Sequence, residues 1–269
     1  MIIDFHTHIF PDKIAEKTIA HLSEKGGIPP FSDGTVNGLL DKMEQAGVDL
    51  SVTLPVLTNP DKFESVNGFA AEVNRAFAKK GRRLLSFAGI HPKCDNIAEK
   101  MAWVADHGFL GVKLHPDYQE TYIDDEGYAE ILSAAKAHNL IVLTHAGVDC
   151  GFPGLPVRCT PERARRLIDR VPYGRLVLAH CGGLDLYDDV LELLCGRDVY
   201  LDTAYVLRFI GRDTFTEILR RHGADRMLFA TDSPWSDVAN DVRLLRAFEL
   251  DKTVEDKIFF ENARKLLGL

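Results

Sequence analysis

Short apolar or β-branched runs recur along the chain: IIDFHTHIF (2–10), LSVTLPV (50–56), LLSFAGIHP (84–92), LGVKLHP (110–116), LIVLTHAG (140–147), RLVLAHCGG (175–183), VYLDTAY (199–205) and MLFATDSPW (227–235). Each is short enough for a buried strand. Between them lie segments with helical spacing and helix stop signals, over 36–47, 64–81, 98–108, 125–139, 160–171, 187–196, 213–223 and 239–250, and a last one over 254–269 closes the chain. Strict strand–helix alternation predicts parallel strands joined by right-handed crossovers. Eight such units predict an α/β fold, a single (β/α)8 TIM barrel with a C-terminal closing helix, and one domain over 1–269. A doubly wound open sheet is the alternative. It would ordinarily carry a glycine-rich phosphate loop after its first strand, and here HTHIFPDK follows instead.

Composition changes this picture only by exclusion. Hydrophobic residues make up 46% and charged residues 27% of 269, an ordinary globular balance. The net charge of -8, with no Lys/Arg tract, makes nucleic acid and anionic membranes poor partners. The N-terminus has no basic signal-like region, and no apolar stretch approaches membrane-spanning length. Five cysteines with no C-x-x-C spacing fit a reducing, cytoplasmic setting. A small-molecule substrate is the expected partner, and a homo-oligomer is left open.

The ten histidines divide by position. His107, His138 and His222 stand at predicted helix ends, where a partly positive imidazole would complement the helix dipole and bond the last carbonyls. His21 falls in the first helical stretch. His6, His8, His91, His115, His145 and His180 all stand near C-terminal ends of predicted strands, which is the active-site face of a barrel, and Asp232 ends the eighth strand in the same way. Strand side chains alternate faces, so Asp4, His6 and His8 share one, with the two imidazoles about 6.6 Å apart along the strand. The same parity groups Ile141, Leu143 and His145; Leu176, Leu178 and His180; and Leu228, Ala230 and Asp232. If these faces point inward, four imidazoles and one carboxylate meet at the barrel mouth. Such a set suits a borderline divalent ion, Zn2+ first, with Mn2+, Fe2+, Co2+ or Ni2+ as alternatives. A hydrogen-bonded network of histidine and aspartate without metal is the other reading.

The pattern H-x-H, His, His, Asp over strands 1, 5, 6 and 8 resembles the amidohydrolase superfamily. DFHTH, LTHAG, LAHCGG, ATDSPW and ENARKLLGL are most similar to its amidohydrolase-related (amidohydrolase 2) family of metal-dependent barrel hydrolases, which also holds non-oxidative decarboxylases. The resemblance implies His6, His8 and His145 as metal ligands and Asp232 as ligand and proton acceptor. His180 would either face the substrate beside one ion or ligate a second, so one or two ions per chain are implied. VKLHP is similar to the K-L-Y-P stretch of dihydroorotases, whose lysine is carboxylated and bridges two metals. Lys113 could do the same, or remain an ordinary lysine paired with Asp4 or with a substrate carboxylate. His115 is a further ligand or substrate contact, and His91 a substrate contact or a structural residue.

The implied reaction is hydrolysis of a small-molecule amide, cyclic amide or lactone by metal-activated water, with Asp232 and His180 as catalytic residues. The alternative is metal-dependent decarboxylation of an aromatic or unsaturated acid, a carboxy-lyase reaction, for which Arg158 or Arg208 could anchor the carboxylate. A non-catalytic metal scaffold is a third reading. Phosphoester hydrolysis is a fourth, disfavoured because those enzymes carry Glu where this chain has Lys113. Tyr205 and Trp235 could pack against a planar substrate. The Gly/Pro-rich loop GVDCGFPGLPVRC (147–159) is a candidate lid. Cys181, by parity, turns towards the helices.

Overall fold

A computed structural model describes residues 1–78, 81 and 83–269. Lys79 and Lys80, at the end of the expected 64–81 helix, lie outside the described residues, as does Arg82. The apolar runs form strands β1 (Ile3–Thr7), β2 (Leu50–Thr53), β3 (Leu84–Ser86), β4 (Ala88–Gly89), β5 (Gly111–Leu114), β6 (Ile141–Thr144), β7 (Leu176–Leu178), β8 (Tyr200–Asp202) and β9 (Met227–Leu228). β3 and β4 are two halves of the single run predicted at 84–92, interrupted at Phe87. All neighbouring strands pair in parallel, in the order β1-β2-β3 and β4-β5-β6-β7-β8-β9.

Backbone hydrogen bonds close the ring. Phe5 N–H donates to Phe229 O at 2.9 Å, Asp232 N–H to His6 O at 2.8 Å and His8 N–H to Ser233 O at 2.6 Å. The first strand therefore pairs with the last, which excludes the open-sheet alternative and leaves the (β/α)8 barrel. The crossovers are helical as expected, with two helices, Asp12–Gly26 and Val36–Ala46, between β1 and β2. Local sequence sets their ends. Thr35 accepts from Gly38 N–H at the start of Val36–Ala46, and Gly47 ends it in left-handed backbone. The closing segment is an α-turn (Lys252–Asp256), a π-turn (Lys257–Glu261) and an α-turn (Asn262–Leu267) in succession rather than one regular helix.

The core has two apolar layers. Val112, Leu114, Val142 and Met227 face outward onto helices through Leu132, Leu167 and Ile218. Inside the barrel, Ile3, Phe5, Val52, Phe87, Leu143 and Leu228 pack together, and Ala263, Leu266 and Leu267 of the closing helix join them at the N-terminal end. Phe5 meets Phe87 edge-on, with ring centroids 5.9 Å apart. Gly111 makes room for that ring. A Cβ there would stand 2.7 Å from Phe87 and 2.6 Å from Ile141 O. Among the described residues, no helix is long and apolar enough to cross a membrane.

Face parity holds on β6 and β9 and fails on β1 and β7. Ile141 and Leu143, and Leu228 and Ala230, are inside as predicted. On β1 the inner residues are Ile3 and Phe5, not Asp4, because the register with β2 shifts between Asp4 and Thr7. On β7 they are Val177 and Ala179, while Leu176 and Leu178 face the helices.

The expected charge role of His222 is also corrected. It is buried, donates Nε2–H to Val199 O (3.0 Å) and accepts Gly196 N–H at Nδ1 (3.3 Å). Both bonds require the neutral ring, and burial pulls its pKa down to about 4. A base depressed in the folded state stabilises above its unfolded value, near 6.5. That stability is lost as pH falls from there through about 4, by at most about 3 kcal/mol. Urea unfolding at pH 7.5 and pH 4.5 should show His222→Gln less stable at the higher pH but with a smaller acid loss than wild type. Equal acid losses would rule this contribution out.

Candidate metal centre

The barrel mouth opens into a cavity of ≈ 1350 Å³ lined by His6, His8, Lys113, His115, His145, His180 and Asp232, and further out by Tyr118, Tyr205 and Trp235. The closing hydrogen bond from Asp232 N–H to His6 O places the H-x-H segment against the end of β9. Asp232 Oδ1 then lies 3.3 Å from His6 Nε2 and 3.1 Å from His8 Nε2, and the two imidazole nitrogens are 3.2 Å apart. Asp232, His180 and Tyr205 all hold left-handed backbone, at φ 66°, 59° and 64°. Non-glycine residues adopt that region at a cost, and such strain clusters at functional sites. It explains why His180 reaches the mouth although β7 parity points it outward. The strand ends at Leu178, and a tight turn over His180–Gly182 re-aims the ring. The same turn places Cys181 in the helix-facing layer, where it was expected, although the observed β7 parity would have turned it inward.

Protons can be counted around this mouth. His8 Nδ1 sits 2.8 Å from Leu54 O, and a carbonyl only accepts, so Nδ1 carries a hydrogen and Nε2 is the nitrogen that faces Asp232. His180 Nδ1 likewise donates to Ala204 O at 2.8 Å. Its Nε2 is therefore an acceptor, and His145 Nδ1 donates to it at 3.0 Å. His6 Nδ1 donates to Asp202 Oδ2 at 3.0 Å, leaving its Nε2 lone pair on the mouth side, where Lys113 Nζ approaches to 2.9 Å. Burial pulls His6 well below the usual imidazole value and His145 and His180 to about 3, so all three are neutral. Burial also lowers Lys113, to about 8. For Asp232, burial pushes upward, but the His8 hydrogen bond and the Lys113 charge outweigh it and hold the carboxylate below its usual range.

These residues fit a divalent cation. His8 Nε2 and His6 Nε2 lie 3.1 Å and 3.3 Å from the same oxygen, Asp232 Oδ1, so three potential ligand atoms already converge. Two imidazoles and a carboxylate are the donor chemistry of a borderline metal. A second group able to hold an ion consists of His115, His145 and Asp149. His6, His8, His145, His180 and Asp232 all line the one cavity, with His145 meeting the group of His6, His8 and Asp232 through His180.

Other expected residues are not at the mouth. His91 is buried and accepts Lys93 N–H at Nδ1 (3.0 Å), holding its own turn, and it does not line the cavity. Arg158 turns its guanidinium to Asp117 (3.7 Å). Arg208 donates to Trp235 O (2.9 Å) and lies over the Tyr205 ring. Neither arginine lines the cavity, so neither supplies the carboxylate anchor expected of it. Asp4 does not pair with Lys113. It accepts from Thr231 Oγ1 (2.6 Å) and Thr231 N–H (3.0 Å), and burial raises it to about 8. The expected lid is anchored by Phe152, which packs edge-on against Tyr118 while Lys25 Nζ sits 3.6 Å above its ring.

Asp202 was missed from the sequence, although it ends β8 as His145 and His180 end theirs. Its carboxylate takes His6 Nδ1–H, His180 N–H (2.8 Å) and Ala204 N–H (3.0 Å), so it orients two of the imidazoles. A carboxylate behind a ligating histidine fixes its tautomer and raises its basicity. Asp202→Asn should therefore weaken divalent-ion binding by about 10–100-fold. Competition against a chromophoric chelator measures this, and an unchanged affinity would remove Asp202 from the centre.

The amidohydrolase family model matches residues 3–269. Among curated proteins none matches. Among solved structures the chain is similar to 2,6-dihydroxybenzoate decarboxylase from Rhizobium (TM-score 0.72, 18% identity, covering 99% of this chain and 98% of that one). It is also similar to an uncharacterised TIM-barrel protein from Bordetella bronchiseptica (0.74, 17%, 99% and 98%). A third is a probable 2-pyrone-4,6-dicarboxylic acid hydrolase from Acinetobacter baumannii (0.68, 16%, 100% and 99%). At these identities the likeness is one of fold, and it agrees with the closed barrel. The family match runs from the first strand to the last residue, and on it the chain belongs to the amidohydrolase family.

Proposed function

We propose that this chain is a metal-dependent hydrolase cleaving a C–N or C–O bond of a small molecule, of amide, cyclic amide or lactone type. One observation carries the reading. An ionised carboxylate, Asp232, is set against two imidazole nitrogens, of His6 and His8, in the wall of an open cavity. His6, His8 and Asp232 would hold a divalent ion, which when bound would supply the positive charge that acidifies water and polarises a carbonyl. Asp232, deprotonated at neutral pH, takes the proton of the attacking water and returns it to the leaving nitrogen or oxygen. His180 does not serve as an oxyanion donor here. Its one hydrogen is committed to Ala204 O, and its Nε2 accepts. The apolar part of the wall, with Leu54, Val148, Leu184 and Trp235, suits the carbon frame of such a substrate.

The decarboxylation reading keeps the same ion, but neither Arg158 nor Arg208, its candidate carboxylate anchors, lines the cavity. A panel of amides, lactones and aromatic acids, turned over in ¹⁸O-labelled water, separates the two. Uptake of one labelled oxygen into the acid product supports hydrolysis. Carbon dioxide release without label uptake overturns it in favour of decarboxylation. On a hydrolysed substrate, Asp232→Asn should lower kcat/KM by about 100-fold or more.

A further inference from the structure

We propose that Lys25 is a specificity-determining residue that binds a carboxylate of the substrate, away from the bond that is cleaved. The inference deepens the hydrolase reading above and rests on it for the identity of that bond: it narrows the substrates to amides or lactones that carry an acid group. Lys25 stands in the last turn of the helix Asp12–Gly26, half-buried, and lines the same cavity as Asp232. Gly27 ends that helix in left-handed backbone. The helix end meets the loop after β6, where a Cβ on Gly26 would stand 3.5 Å from Cys150 Sγ. The Lys25 ammonium crosses to this loop. Its Nζ lies 3.6 Å from the centre of the Phe152 ring and 4.4 Å from that of Tyr118. Tyr118 in turn meets His115 edge-on, with centroids 4.7 Å apart, so packed rings fix the ammonium relative to the barrel mouth.

The sign of a ligand is a cation without a counter-charge. Other half-buried cations of this chain have one: Arg163 pairs with Asp124, Arg197 with Asp169 and Lys257 with Asp225. Among the described residues, no carboxylate oxygen lies within 4.0 Å of Lys25 Nζ. Asp149, on the same loop, is engaged elsewhere. Its Oδ1 accepts Gly151 N–H at 2.7 Å, and its Oδ2 turns to His115 Nε2 at 3.3 Å. The faces of Phe152 and Tyr118 attract an ammonium but supply no oxygen to its three N–H donors. A lysine in a last turn also favours the helix dipole. It does so equally well from solvent, so the dipole does not account for a place on the cavity wall.

Two other lysines line this cavity. Lys113 is taken up by His6 Nε2 at 2.9 Å, and Lys13 is exposed. Lys25 is thus the half-buried positive charge that the wall offers to a ligand, and a carboxylate is the acceptor that suits it. Charge-assisted hydrogen bonds to an ammonium partly withdrawn from water are the strong ones. Leu54, Val148 and Leu184 line the same space and suit the carbon chain between the acid group and the reacting bond. A molecule held at both places has its orientation fixed, with its acid group at Lys25 and its amide or lactone at Asp232.

The test uses matched ligands on the full-length protein loaded with Mn2+: N-acetyl-γ-aminobutyrate and N-acetyl-ε-aminocaproate, each against its neutral primary carboxamide. Affinity is read by isothermal titration, or as KM where the ligand is turned over. Wild type is expected to bind at least one acid about 10-fold or more tightly than its carboxamide. Lys25→Met, which keeps an unbranched apolar stem against the rings, should lose that preference, and Lys25→Arg should keep it. No preference in wild type, or no binding of either acid, overturns the proposal. A preference that survives Lys25→Met overturns it in favour of a carboxylate seated on the ion. An equal loss for acid and carboxamide in Lys25→Met overturns it in favour of a lysine that only holds the loop. Acid preference without turnover of any ligand, these or the panel above, leaves Lys25 in place and overturns the hydrolase reading, whereas turnover without preference does the reverse.

Discussion

The hydrogen bond from Asp232 N–H to the His6 carbonyl is the point at which fold and chemistry become one constraint. It belongs to the seam that joins the first strand to the last and so turns two parallel sheets into a closed barrel. It also fixes the only separation at which the Asp232 carboxylate can meet His6 and His8 together. The residues it links stand 226 positions apart, and no local propensity could bring them to hydrogen-bond distance. Long-range parallel pairing of this kind pays its loop-closure cost before any contact rewards it. The two apolar layers, inside and outside the strands, supply the burial that offsets that cost.

Around the mouth the histidines behave as a relay of fixed tautomers rather than as a pool of bases. Carbonyl oxygens at Leu54 and Ala204 can only accept, and each therefore decides which nitrogen of its partner carries the hydrogen. From His180 the decision passes to His145. The result is a set of inward lone pairs next to one carboxylate whose neighbours keep it ionised. Imidazoles buried this deeply are unlike ordinary surface histidines. His6, His145 and His180 are neutral at neutral pH, and neutral nitrogen is the form that can ligate.

Much of the fold was legible because strand runs and helical segments alternate plainly, and the positions of His6, His8, His180 and Asp232 at strand ends followed from it. Parity worked where strands are regular, on β6 and β9. It failed on β1, where the pairing register shifts, and on β7, where left-handed backbone at His180 re-aims the ring. Neither event leaves a pattern in hydrophobic periodicity. Arg158 and Arg208 were possible anchors only by their place after strands, and their guanidiniums turn instead to Asp117 and to the Trp235 carbonyl. Asp202 escaped notice because a single acid in VYLDTAY looks unremarkable until the His6 ring is seen behind β1. Asp117 and Asp149 sit in loops, where no period marks which way a side chain turns.

The closing helix has a consequence for traffic. Ala263, Leu266 and Leu267 fill the N-terminal end of the barrel against its inner side chains, so the centre has no back exit. Whatever reaches Asp232 enters past Tyr118, Tyr205 and Trp235, and whatever is made there leaves by the same route. A molecule bound at Asp232 is therefore met from the side that those aromatic rings line, and its outer end rests among them.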